Sequence, residues 1–168
     1  QVKNNGNQTL YVRLITSGVL PVGKELAMQN GLSLSTTFRD SNGQALDITN
    51  LRQSTQFVAT IEITNLTGEA VENVALTQII PSGWEIVNTR FTDYDEGSSN
   101  SNVDYADFRD DRANFYLSLK AKQTKYIKLK LNASYAGKYY LPGTYAEAMY
   151  SNRYNTRTNG KWVEVMRK

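Results

Sequence analysis

The chain has no cysteine and no histidine, and these two absences remove most of the usual reaction chemistry. There is no thiol nucleophile, no disulfide framework, no imidazole base and no Cys/His zinc site. No apolar run approaches the ~18–20 residues that cross a bilayer, so direct membrane insertion is not expected. No charged-then-apolar leader precedes a cleavage site either. The first residue is Gln1 rather than Met, and the expectation is a fragment of a longer precursor whose export signal has been removed. Charge of one sign is also lacking: 19 Lys plus Arg against 16 Asp plus Glu leaves +3, too little to argue for a nucleic-acid partner.

What is present is strand-forming material. Hydrophobic residues make up 40% of the 168, including 11 Tyr, 5 Phe and 2 Trp, enough for one packed domain or a domain with a short neighbour. Phe57, Ala59, Ile61 and Ile63 alternate with Val58, Thr60, Glu62 and Thr64, the period of a half-buried strand. A turn at residues 65–69 then predicts antiparallel pairing with the next apolar stretch, residues 74–80, which runs into Pro81-Ser82-Gly83. Trp84-Glu85-Ile86-Val87 resumes that strand, and residues 113–119 make another. In the run that follows, Ile127, Leu129 and Leu131 face one way while Tyr126, Lys128 and Lys130 face the other, so the lysines decode as the wet face of a strand. Residues 137–141, 144–150 and 162–166 read as later strands, with Asn159-Gly160, like Asn42-Gly43, a hairpin signal. A strand over residues 10–16 and about two helical turns over residues 23–29 complete the pattern. About seven or eight strands at this spacing predict an antiparallel two-sheet β-sandwich of the fibronectin III or immunoglobulin type. Residues 1–30 are set apart as either a lead strand and linker or the end of a preceding domain, and residues 31–168 as the sandwich.

Candidate chemistry is sparse. Asp93, Asp95, Glu96, Asp104, Asp107, Asp110 and Asp111 crowd one stretch, but Asp93-Tyr94-Asp95-Glu96-Gly97 lacks the ligand spacing of an EF-hand. Arg109 and Arg112 interleave with Asp107, Asp110 and Asp111, which favours a loop braced by its own salt bridges. No nucleophile elbow or Ser-x-x-Lys arrangement occurs. The expectation is a protein that is not an enzyme and uses no cofactor. Trp84, after the Pro-Ser-Gly break, is expected to anchor the core.

Three strings in order carry a resemblance: Ile80-Pro81-Ser82-Gly83-Trp84-Glu85-Ile86-Val87-Asn88-Thr89-Arg90, Asp107-Phe108-Arg109-Asp110-Asp111-Arg112, and Leu141-Pro142-Gly143-Thr144-Tyr145-Ala146-Glu147-Ala148-Met149-Tyr150. Together they resemble the C-terminal, tenth macroglobulin-type domain of bacterial alpha-2-macroglobulins, over roughly residues 31–168. The resemblance implies a fibronectin-like domain at the end of a periplasmic or cell-envelope protein that traps proteases. Its partners would be the other domains of the parent chain, including a thioester domain where one exists, and target proteases through the full-length protein. In thioester-bearing members a Met-Tyr pair of this domain covers the thioester; Met149 and Tyr150 match it, although Ser151-Asn152 stands where Asp and Pro usually follow. A free-standing adhesion or ligand-binding sandwich is the alternative that the fold equally permits.

Overall fold

The computed structural model describes residues 2–18, 20–87 and 103–167, and among them it has thirteen strands and no helix. In chain order these are β1 (Met28–Asn30), β2 (Leu32–Asp40), β3 (Asn50–Arg52), β4 (Thr55–Asn65), β5 (Val71–Ile79), β6 (Trp84–Ile86) and β7 (Tyr105–Phe108). The rest are β8 (Arg112–Leu119), β9 (Thr124–Ala133), β10 (Gly137–Leu141), β11 (Tyr145–Ala148), β12 (Ser151–Arg157) and β13 (Lys161–Met166). Asp93, Asp95 and Glu96, with Asn88, Thr89 and Arg90, lie outside the described residues.

Alternation builds the centre. β4 turns Phe57, Ala59, Ile61 and Ile63 into the core, and β9 turns in Ile127, Leu129 and Leu131, which leaves the lysines of β9 on its outer face. The two strands pair antiparallel within a four-stranded sheet ordered β2-β4-β9-β6. A three-stranded sheet, β10-β13-β3, contains one parallel pair, β13 with β3. The third sheet has six strands ordered β1-β12-β11-β5-β8-β7. All three bury side chains in one core cluster, and the whole is an immunoglobulin-like β-sandwich.

Several sequence expectations are corrected by the pairing. β4 does not form a hairpin with β5, because the intervening turn carries the chain from one sheet to another. Buried Asn65 organises that crossing: its Nδ2 donates to the carbonyls of Glu69 (2.7 Å) and Lys120 (3.0 Å), and its Oδ1 accepts from the Thr67 amide (2.9 Å). β6 likewise does not continue β5 but crosses to pair with β9. Asn159-Gly160 is not a hairpin turn; it leads from β12 in the six-stranded sheet to β13 in the three-stranded one. Among the described residues only β7–β8 and β11–β12 join consecutive strands as hairpins. The strand read over residues 144–150 stops at Ala148. The expected count of seven or eight is exceeded because β1, β3 and β7 are short and β12 has no apolar period.

At the start of the chain, residues 10–16 form no strand and residues 23–29 form no helix. The apolar side chains of residues 10–16 are exposed, among them Leu10, Val12 and Leu14; alternation alone does not make a strand without a ladder partner. From Glu25 onward the chain is fastened to the sandwich, directly after a local turn. The Lys24 amide bonds the Pro21 carbonyl at 3.0 Å around Gly23, whose φ of 83° suits the third position of a type II turn. The Tyr140 hydroxyl donates to Glu25 Oε2 at 2.6 Å, Asn159 Oδ1 accepts from the Ala27 amide at 2.7 Å, and the Arg157 guanidinium donates to the Leu26 carbonyl at 3.0 and 3.2 Å. The Tyr140 bond holds the Glu25 carboxyl below its usual pKa. Tyr140→Phe is therefore expected to loosen this elbow and speed tryptic cleavage after Lys24 several-fold, with the melting temperature unchanged. Limited digestion followed by mass spectrometry reads the effect, and cleavage at the wild-type rate would show that the other bonds suffice.

Candidate functional site

The two hairpin tips coincide with the two places that the sequence marked, and the sheet register sets them apart. Ile79 of β5 pairs with Arg112, whereas Val74 pairs with Ala148. The turn at residues 109–111 and the Met149-Tyr150 turn therefore stand at opposite ends of the six-stranded sheet, so they do not form a common site.

At the first end, Arg109 Nε lies 3.0 Å from Asp107 Oδ2, and Arg112 Nη2 lies 2.6 Å from Asp111 Oδ2. Each bond holds its carboxylate or guanidinium in the charged form: Asp111 is shifted down, and Arg109 and Arg112 up. Both pairs join residues one or two apart in sequence and face solvent, where such pairs contribute little. The Asp111 carbonyl accepts from the Ile80 amide at 2.8 Å, which ties this turn to the segment leading into Trp84. Asp110 is exposed in the turn. Among the described residues no group of three or more acidic side chains is placed to hold a metal ion. Trp84 is only 2% exposed and belongs to the core.

At the other end, β11 runs between β5 and β12 with Ala146 and Ala148 buried beneath it. Its Tyr145 donates to Glu147 Oε2 at 2.6 Å, and burial, reinforced by that carboxylate, pushes the phenol up to about 12. The strand ends as Ala148 pairs with Ser151, leaving Met149 and Tyr150 as a two-residue turn. Both side chains point away from the core: Tyr150 is 83% exposed and Met149 44%. A strand running through residue 150 would turn one of the pair inward, but β11 stops pairing at Ala148 and the turn begins before alternation reaches them.

Two irregularities hold this tip. Glu147 pairs with Asn155 while the next residue, Ala148, pairs with Ser151, so β12 carries three residues that β11 does not match. That bulge is closed by Asn155 Nδ2 donating to the Asn152 carbonyl at 3.1 Å. The Tyr154 ring lies over Gly31, where an added Cβ would come within 2.6 Å of it. On the other flank the Met149 amide donates to the Asn73 carbonyl at 3.0 Å. The sequence reading missed Asn73; the signal was the spacing Val71, Val74, Leu76, in which buried positions skip a beat. Beside the tip an open groove is lined in part by Asn30, Gly31, Glu69, Asn152, Arg153 and Tyr154.

These features define an all-β, immunoglobulin-like module whose marked exposed residues stand on a loop tip rather than in a cleft. Within that class the chain belongs to the family described as Bacterial Alpha-2-macroglobulin MG10 domain, which matches residues 31–152. It is 26% identical over 147 residues to an alpha-2-macroglobulin of Pasteurella multocida, covering 88% of this chain and 8% of that protein. The fold is shared with native Escherichia coli alpha-2-macroglobulin (TM-score 0.76, 17% identity, 88% of this chain and 10% of that one). It is shared too with Salmonella alpha-2-macroglobulin reacted with methylamine (TM-score 0.73, 19% identity, 84% and 10%). The chain thus spans about a tenth or less of the length of these relatives.

Proposed function

We propose that this is a non-enzymatic domain, the C-terminal tenth one, of an exported bacterial alpha-2-macroglobulin that traps proteases. We further propose that its Met149-Tyr150 turn packs against another domain and shields a thioester there. The observation that carries this reading is the 83% exposure of Tyr150, beside Met149, on a turn anchored along both flanks. A thioester survives only where water and amines are kept out. A flexible thioether fills an irregular apolar pocket, while a phenol closes the rim and bonds a polar group there. The chain has no Cys, so any thioester lies elsewhere in the parent. Family membership favours this reading over a free-standing adhesion module. On the same reading, residues 1–30, set apart in the sequence, are the lead into the domain from what precedes it, their last part bonded to the sandwich from Glu25 onward, and the parent works in the periplasm or cell envelope.

Because the related Salmonella protein is one that was reacted with methylamine, methylamine is the natural probe. Tyr150→Ala in the full-length parent is expected to raise the rate of methylamine incorporation at least several-fold without lowering the stability of this domain. A rate equal to wild type would leave the turn with no shielding role, and a parent that takes up no methylamine would sink the thioester reading itself.

A further inference from the structure

Asn73 lies on no recognised motif, yet the backbone treats it as exceptional. Val71 pairs with Leu119 and Val74 with Leu117, so three steps along β5 face two along β8. The extra residue is absorbed near Asn73, whose φ is 55°. That left-handed region is open to Gly and tolerated by Asn, and it is closed to β-branched residues. β5 also pairs with β11, where Ala148 opposes Val74. The next residues in that register are Met149 and Asn73, and the ladder's last bond is the one from the Met149 amide to the Asn73 carbonyl. The bulge on one side of β5 therefore aims the carbonyl that fastens the turn on its other side.

We propose that Asn73 is a positioning residue for the Met149-Tyr150 turn: its left-handed backbone sets the angle at which the turn leaves the sheet and meets the neighbouring domain. The proposal rests on the shielding reading above. Asn73→Gly keeps the left-handed conformation, and Asn73→Val opposes it. In the full-length parent, Asn73→Val is expected to raise methylamine incorporation several-fold, as Tyr150→Ala does, while Asn73→Gly stays at the wild-type rate. A purely structural role would lower the melting temperature of Asn73→Val and leave its rate unchanged. That result, with Tyr150→Ala still fast, would overturn the proposal and spare the shielding reading.

Amide hydrogen exchange separates the two ideas in the other direction. If Tyr150→Ala reacts like wild type, the shielding reading fails, and the Met149 amide still reports on positioning. It is expected to exchange at least tenfold faster in Asn73→Val than in Asn73→Gly, with exchange across β8 unaltered. Equal exchange at Met149 in both variants would overturn the positioning role. Should Asn73→Val not fold, Asn73→Ala supports the same comparison, since alanine also disfavours the left-handed region.

Discussion

Replacing Trp84 by alanine is expected to cost about 3 kcal/mol or more of folding stability, lowering the melting temperature by roughly 6–12 °C for a domain of this size. The ring is almost wholly buried and stands edge-on to two others, with centroids 4.9 Å from Phe57 and 6.2 Å from Phe38. Phe57 comes from β4 and Phe38 from β2, so the indole joins three strands of the four-stranded sheet. It enters from a tight turn in which the Trp84 amide bonds the Pro81 carbonyl at 2.9 Å. The Gly83 carbonyl in turn accepts from the amides of Ser134 and Tyr135 at 2.9 and 3.0 Å. One feature works against the residue: its Nε1 is buried without a hydrogen-bond partner among the described residues, a cost of about 1–3 kcal/mol. Trp84→Phe removes that donor while keeping an aromatic ring, so it is expected to cost much less than Trp84→Ala. Thermal and urea denaturation of both variants make the check. A Trp84→Ala protein melting within ~2 °C of wild type would contradict the anchoring role.

Side-chain alternation was legible in the sequence because it is a local property. Ile61 and Ile127 are inward residues of β4 and β9 whatever strands lie beside them. Pairing was less legible because it depends on partners far along the chain. Residues 65–69 look like a hairpin turn, but the contacts of Asn65 with Glu69 and Lys120 take the chain across the sandwich. β12 has no apolar period, and its seven polar or aromatic residues are strand because β1 and β11 supply ladders on both edges. Residues 10–16 have the period and no ladder. The site divides in the same way. Met149 and Tyr150 were named by resemblance, while their position on a turn depends on where β11 stops pairing. The role proposed for Asn73 depends on a backbone angle that composition does not encode.

Gly143→Ala is expected to be as damaging as the loss of Trp84, for a reason of backbone geometry. Two crossovers pass side by side at the top of β11: residues 142–144 lead from β10 into β11, and residues 158–160 lead from β12 into β13. They are stitched by the Thr158 amide to the Thr144 carbonyl at 3.0 Å and by the Thr144 amide to Thr158 Oγ1 at 2.9 Å. A Cβ on Gly143 would lie 1.8 Å from the Thr158 carbonyl oxygen, and because that neighbour is backbone it has no rotamer in which to escape. Gly160 in the other crossover is crowded as well, by the end of β10: a Cβ there would meet the Tyr140 hydroxyl at 2.1 Å and the Leu141 carbonyl oxygen at 2.8 Å. Separating the crossovers would also displace buried Thr144, whose hydroxyl bonds buried Gln78 and reaches Thr36 Oγ1 of β2 at 3.0 Å, a polar bridge between sheets. Overpacking of this kind costs about 1–3 kcal/mol, and loosening the bonds at Thr144 adds roughly 1 kcal/mol for each one lost. Gly68→Ala is the matched control, since nothing lies within 4 Å of an added Cβ there, and its stability is expected to stay within ~0.5 kcal/mol of wild type. Denaturation midpoints for the two alanine variants decide the matter: equal values would mean that the crossovers can part at no cost, and that glycine at 143 is a matter of chain flexibility alone.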